Sequence, residues 1–227
     1  MRTVMFLIDV SNAAVTKALS DRMYRTDRKE FKGILGREIS DWKNSGKPRK
    51  LVVAAVNFAS SASGWTTIDL PIIPVSYGGK RRTEMVAKAA KSVRDSIQAL
   101  RPSSGMKGTQ VIFGLERLCA EGYANPSSII YIVTDGIEQS ERVNMFSVQK
   151  KSVIYSSGEH KQLEERLLAE FRRAGVKLGG ASVNIWLTGS ETQIGRWNQV
   201  LRNIWANVLG QSGAGAVTAT PLNSVAE

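Results

Sequence analysis

Two short apolar runs, far apart in the chain, each stop at an aspartate. Val4-Met5-Phe6-Leu7-Ile8 ends at Asp9, which is followed by Val10, Ser11 and Asn12. Ile129-Ile130-Tyr131-Ile132-Val133 ends at Thr134-Asp135-Gly136. Short runs rich in β-branched and aromatic residues read as strands buried on both faces. Strands of that kind belong to a parallel sheet with helices on either side. In such a sheet, functional groups gather just past the carboxyl ends of the strands. If the two strands are neighbours, two carboxylates and two hydroxyls meet in one crevice. Hard cations take oxygen ligands of that type.

The rest of the chain alternates between strand and helix patterns. Lys50–Ala59 reads as a second buried strand. Trp65–Val75 is extended, and Pro71 and Pro74 demote it to an edge or irregular strand. Val86, Ala90, Val93, Ile97 and Leu100 recur at helical steps, which predicts a helix over 84–100. Val111, Leu115 and Leu118 mark a short helix that starts just after Thr109. Leu163, Leu167, Leu168 and Phe171 predict a helix over 159–174, and Ala181–Leu187 reads as a strand. Trp197, Leu201, Ile204, Trp205 and Val208 define a terminal amphipathic helix. Residues 14–45 have helical composition, and 152–155 read as a brief strand. The predicted fold is an α/β three-layer sandwich, a mostly parallel central sheet flanked by helices. Residues 1–210 read as one domain. Residues 211–227 are rich in Gly, Ala, Ser and Thr without periodicity, and read as a flexible C-terminal tail.

Charge is distributed unevenly. The net charge is +11, and residues 1–110 hold 20 Lys/Arg against 9 Asp/Glu, while 111–227 hold 11 of each. The excess suggests an acidic partner protein or a polyanion. It is densest around Lys80, Arg81, Arg82, Lys88, Lys91, Arg94 and Lys107. Tyr77 stands beside these residues and could stack on a base. The competing reading is a solvated helix face. Cys119 is the only cysteine and His160 the only histidine. No internal disulfide or His-based zinc cluster can therefore form, and Cys119 reads as a buried structural thiol. No apolar run approaches the roughly 20 residues of a membrane span. A cytoplasmic protein without membrane insertion is expected.

Four segments fall in a telling order: Asp9-x-Ser11, Asn57-Phe58-Ala59-Ser60, Gly108-Thr109 and Thr134-Asp135-Gly136. This order resembles a diverged von Willebrand factor A (vWA) domain with its metal-ion-dependent adhesion site. The stretch from Ile97 to Leu115 and the Phe171–Val176 helix end with its following strand add to the likeness, which spans roughly residues 3–209. The resemblance implies that Asp9, Ser11, Thr109 and Asp135 hold a divalent cation, Mg²⁺ or Mn²⁺. A partner's acidic group would complete the shell. One position departs from the family pattern, because Ala13 stands where the family has serine. A methyl group cannot coordinate. The site then binds a cation weakly, binds it only with a partner, or is a vestige in which Asp9 and Ser11 act as capping groups.

The resemblance implies a non-enzymatic protein-interaction module, a subunit of a larger assembly, with self-assembly as a further option. The alternative is a metal-dependent nuclease of the PIN or NYN type, in which an apolar strand also ends in Asp-x-x-Asn. A third reading is an architectural nucleic-acid-binding protein that uses the basic half. The number of carboxylates converging on Asp9 discriminates the first two. Three or four favour the nuclease, and two favour the adhesion-type site.

Overall fold

The computed structural model describes residues 1–9, 34–56, 65–99, 110–138, 143, 145, 157–187 and 195–221. In chain order the elements are β1 (Arg2–Ile8), α1 (Ile34–Ser45), β2 (Arg49–Ala55), β3 (Trp65–Leu70), α2 (Gly79–Gln98), α3 (Val111–Ala120), β4 (Ile129–Thr134), α4 (Ser157–Arg173), β5 (Ser182–Leu187), α5 (Gly195–Gln211) and β6 (Ala216–Pro221). The strands form one sheet in the order β3-β2-β1-β4-β5-β6. All neighbours pair in parallel except β2 and β3. The chain is thus a three-layer α/β sandwich, as its strand and helix patterns predict.

Side-chain alternation along β1 explains the layers. Met5 and Leu7 point to one face and pack with Leu115, Leu118, Leu167, Phe171 and Trp205. Those partners lie on α3, α4 and α5. Val4, Phe6 and Ile8 point to the other face and pack with Ile39, Trp42, Val86 and Val93 of α1 and α2. Val4 through Ile8 are all 0% exposed, so β1 is buried on both sides. Phe6 stacks on Tyr131 of β4 with ring centroids 5.1 Å apart, and Tyr131 meets Trp186 of β5 at 5.0 Å. These cross-strand aromatic contacts tie the middle strands together on one face.

The base of the sheet holds a buried ion cluster. Arg49 Nη1 donates to Glu38 Oε2 at 2.6 Å, and Arg2 Nη2 donates to Glu38 Oε1 at 3.1 Å. Burial pushes the Glu38 carboxyl above its ordinary value, and the two guanidinium groups pull it back. Removing one partner from such a cluster leaves a buried charge exposed to low dielectric.

Several details differ from the sequence reading. The second helix begins at Gly79, not 84, so it includes Lys80, Arg81 and Arg82. Lys80 and Arg81 face solvent, Arg82 is half-buried, and none of the three carries apolar periodicity to announce the turn. Cys119 is half-buried, and its thiol donates to Lys177 O at 3.3 Å. The expected tail needs the larger correction. Gln211 closes α5, and Ala216–Pro221 is a sixth strand in parallel register with Ser182–Leu187. Its order comes from the backbone ladder. Leu178 N donates to Ser212 O and Gly215 N to Ala181 O, both at 2.9 Å, which turns the chain into the edge position. The predicted brief strand at 152–155 lies outside the described residues.

Candidate functional site

β1 and β4 are neighbours, and Ile8 is in register with Val133. The sheet grows outward in opposite directions from this pair, toward β2 on one side and β5 on the other. That is a topological switch point, where an open α/β sheet leaves a crevice beyond its carboxyl edge. Asp9 sits at this edge. Its backbone N–H donates to Val133 O at 2.8 Å, continuing the β1–β4 ladder by one residue. On the other side Val56 N donates to Ile8 O at 2.8 Å. The backbone at Asp9 is therefore fixed between three strands, and the residue is 0% exposed.

β4 supplies the facing groups. Thr134 Oγ1 lies 3.4 Å from Asp9 Oδ2 and accepts from Gly136 N at 3.0 Å. Asp135 Oδ1 accepts from Ile137 N at 2.9 Å. Two consecutive side chains thus cap the backbone of their own turn. Gly136 makes that turn possible with φ at +81°, a region that residues with a Cβ rarely enter. Trp205 of α5 closes over it, donating its indole N–H to Gly136 O at 2.9 Å.

The electrostatics follow from burial. The Asp135 carboxyl is pushed up to about 7, first by desolvation and second by the negative charge of Asp9, while the Ile137 N–H opposes the shift. Two carboxylates close together in low dielectric disfavour double ionisation. A proton relieves this near neutral pH, and so would a hard cation.

Glu138 completes the turn. It is 0% exposed, and its Oε2 accepts from Val111 N, the first residue of α3, at 2.8 Å. Its backbone is tied to Met145, whose N–H donates to Glu138 O at 2.9 Å. Glu138 therefore anchors a helix start. Among the described residues, no group of three or more His, Cys, Asp or Glu side chains is arranged to hold a metal ion. The donor chemistry fits a hard cation in kind, with two carboxylates and a hydroxyl, but the described residues alone do not complete a shell.

The predicted site residues divide accordingly. The structure brings Asp9 and Asp135 together. Ser11, Ala13 and Thr109 lie outside the described residues, although Val111 places α3's start at the same edge through Glu138. The sequence places the Thr134 hydroxyl in the crevice with Asp135, but the resemblance does not count it among the cation ligands, and it does not include Glu138. Glu138 carries no local signal, because its partner is 27 residues away.

The basic set is only partly gathered. Lys80, Arg81, Lys88 and Lys91 are exposed on α2. Lys91 pairs with Asp95 at 2.6 Å, and Arg82 Nη2 donates to Pro74 O at 3.4 Å. Arg81 lies over the Tyr77 ring, 4.1 Å from its centroid, so that ring face is taken. Arg94 belongs to α2, with its side chain outside the described set, and Lys107 lies outside the described residues.

No protein-family model matches the chain, and no curated protein sequence matches it. Among solved structures, it is similar to the human COPII-coat protein Sec24c at 13% identity and a TM-score of 0.35. That superposition covers 88% of this chain and 28% of Sec24c, so the chain spans under a third of that protein's length.

Proposed function

We propose that the protein is a non-enzymatic, vWA-like interaction module that docks an acidic partner protein at the β1–β4 crevice through a divalent cation. The observation that supports this reading is the carboxylate pair of buried Asp9 and half-buried Asp135, just past the ends of adjacent parallel strands at the switch point. Asp9, Asp135 and the Thr134 hydroxyl are oxygen donors of the right chemistry. Ser11 and Thr109 are the further residues that the resemblance would add. Mg²⁺ or Mn²⁺ bound there would neutralise the pair and leave a position for a partner's carboxylate. With few protein ligands and Ala13 in place of a serine, binding would be weak without the partner.

The nuclease alternative calls for three or four carboxylates around Asp9. Among the described residues Glu138, the nearest further acid in sequence, is committed to the start of α3. Two carboxylates at this edge, counted among the described residues, favour the interaction module.

The test is affinity capture from the native cell with the intact chain, with and without a chelator, beside Asp9→Ala. A partner lost on chelation and lost in the variant is the expected result. Capture that is indifferent to both would sink the reading. Calorimetric titration with Mn²⁺ then separates autonomous from partner-dependent binding.

A further inference from the structure

The loop 71–78, between β3 and α2, displays two aliphatic side chains on a fixed backbone. Ile72 is 64% exposed and Val75 is 93% exposed. Apart from Met1, these are the exposed large hydrophobic residues among the described residues. The loop is held in place from both sides. Trp42 Nε1 donates to Pro71 O at 2.8 Å, Ile73 N donates to Gly46 O at 3.2 Å, and Ile73 itself is 2% exposed. Tyr77 N donates to Pro74 O at 3.0 Å. The exposure of Ile72 and Val75 is therefore built into an ordered turn.

Cations surround this tip. Residues 71–82 hold Lys80, Arg81 and Arg82 and no acid. Arg81 is steadied over Tyr77, and Lys47 is exposed on the turn to which Ile73 is bonded. Nearby carboxylates include Glu84, one helical turn along α2, Asp69, which lies 4.0 Å from Lys50, and Asp41, which lies 3.8 Å from Arg49. Because Leu70 pairs with Arg49 at the start of β2, the tip stands at the end of the sheet opposite Asp9.

We propose that this tip is a docking surface for an anionic lipid bilayer. Ile72 and Val75 would rest in the interfacial layer, with Lys80, Arg81 and Lys47 on the acidic headgroups. Charge complementarity selects an anionic occupant, and the aliphatic pair selects lipid over nucleic acid, whose phosphate backbone offers those side chains no apolar phase. Shape selects lipid over a protein partner. A protein interface needs a broad complementary patch, whereas a side chain that is 93% exposed protrudes past its neighbours. Contact of this kind requires no spanning segment, and no described helix is long and apolar enough to cross a membrane.

The test is co-sedimentation of the full chain with phosphatidylcholine vesicles containing phosphatidylserine, against phosphatidylcholine alone. Binding to the anionic vesicles only is expected. Lys80→Glu with Arg81→Glu should lower partitioning by roughly thirtyfold or more, from about fivefold per lost cation. Ile72→Ser with Val75→Ser should lower it by about tenfold. Both double variants should keep the parent's thermal midpoint. No binding to anionic vesicles would overturn the proposal. So would binding that survives the aliphatic substitutions, which would be surface adsorption alone, or tip-dependent capture of an RNA or a protein without vesicle binding.

Discussion

Thr134 Oγ1 stands 3.4 Å from Asp9 Oδ2, although 125 residues separate the two in sequence. The contact is a product of the strand order. β4 lies beside β1, so the last residue of one strand faces the first residue beyond the other. Anything that alters charge at Asp9 is therefore felt in the Thr134-Asp135-Gly136 turn.

Burial and the charge of Asp9 push the folded Asp135 carboxyl up to about 7, above its ordinary value of 3.8. Between those values the native chain holds a proton that the unfolded chain releases. Stability therefore falls as pH rises through that window, and the penalty is complete above it. Asp135→Asn keeps an acceptor for Ile137 N–H and removes the charge. In urea titrations the variant should exceed the parent by on the order of a few kcal/mol above about pH 7, with little gain at about pH 4. Equal gains at both ends would contradict the linkage.

A second substitution isolates the coupling. Asp9→Asn removes the neighbouring charge and leaves the burial of Asp135 intact. The Asp135 midpoint should drop but stay above the ordinary carboxylate range, since desolvation is its largest cause. Carboxyl carbon shifts followed by NMR across pH give the answer. An unmoved midpoint would mean that the two carboxylates do not sense each other.

Gly136 offers a steric prediction. A Cβ there would lie 2.8 Å from Leu187 Cδ2 and 3.3 Å from Leu201 Cδ1, at a φ of +81°. Gly136→Ala thus combines backbone strain with overpacking and should cost roughly 2–4 kcal/mol. Gly122 is the control, with φ at +74° and nothing within 4 Å of an added Cβ. Gly122→Ala should cost only about 1 kcal/mol. Thermal denaturation of both variants compares them directly.

Glu138 should behave as an anchor whose acceptor matters more than its charge. Glu138→Gln retains an oxygen for Val111 N–H, while Glu138→Ala leaves that buried donor unsatisfied. The alanine variant should lose about 1–3 kcal/mol and the glutamine variant less. Amide exchange at Val111 should quicken in the alanine variant first. Equal losses for both would assign the role to charge.

How far sequence carries can be read residue by residue. The Asp9–Asp135 juxtaposition was legible because wholly apolar β-branched runs mark central parallel strands, and functional groups follow their ends. The Trp65–Leu70 edge strand was legible from the prolines after it. β6 was not. Ala216–Pro221 has small and threonine side chains at a sheet edge, where the ladder with β5 supplies the order and no apolar pattern is needed. The Glu138–Val111 contact was equally invisible, since a side chain that caps a helix from a distant turn leaves no local spacing.

β1 is the first strand in the chain and has a neighbour on each side. One neighbour begins at Arg49, but the other begins only at Ile129. During synthesis, the apolar run Val4–Ile8 must therefore wait with one edge unpaired until Ile129–Thr134 has emerged. Long-range pairing of this kind slows folding and exposes strand edges meanwhile. A chain halted before Ile129 is expected to bind a hydrophobic dye that the full chain does not. Asp9, whose N–H needs the carbonyl of Val133, is made early and held in place late.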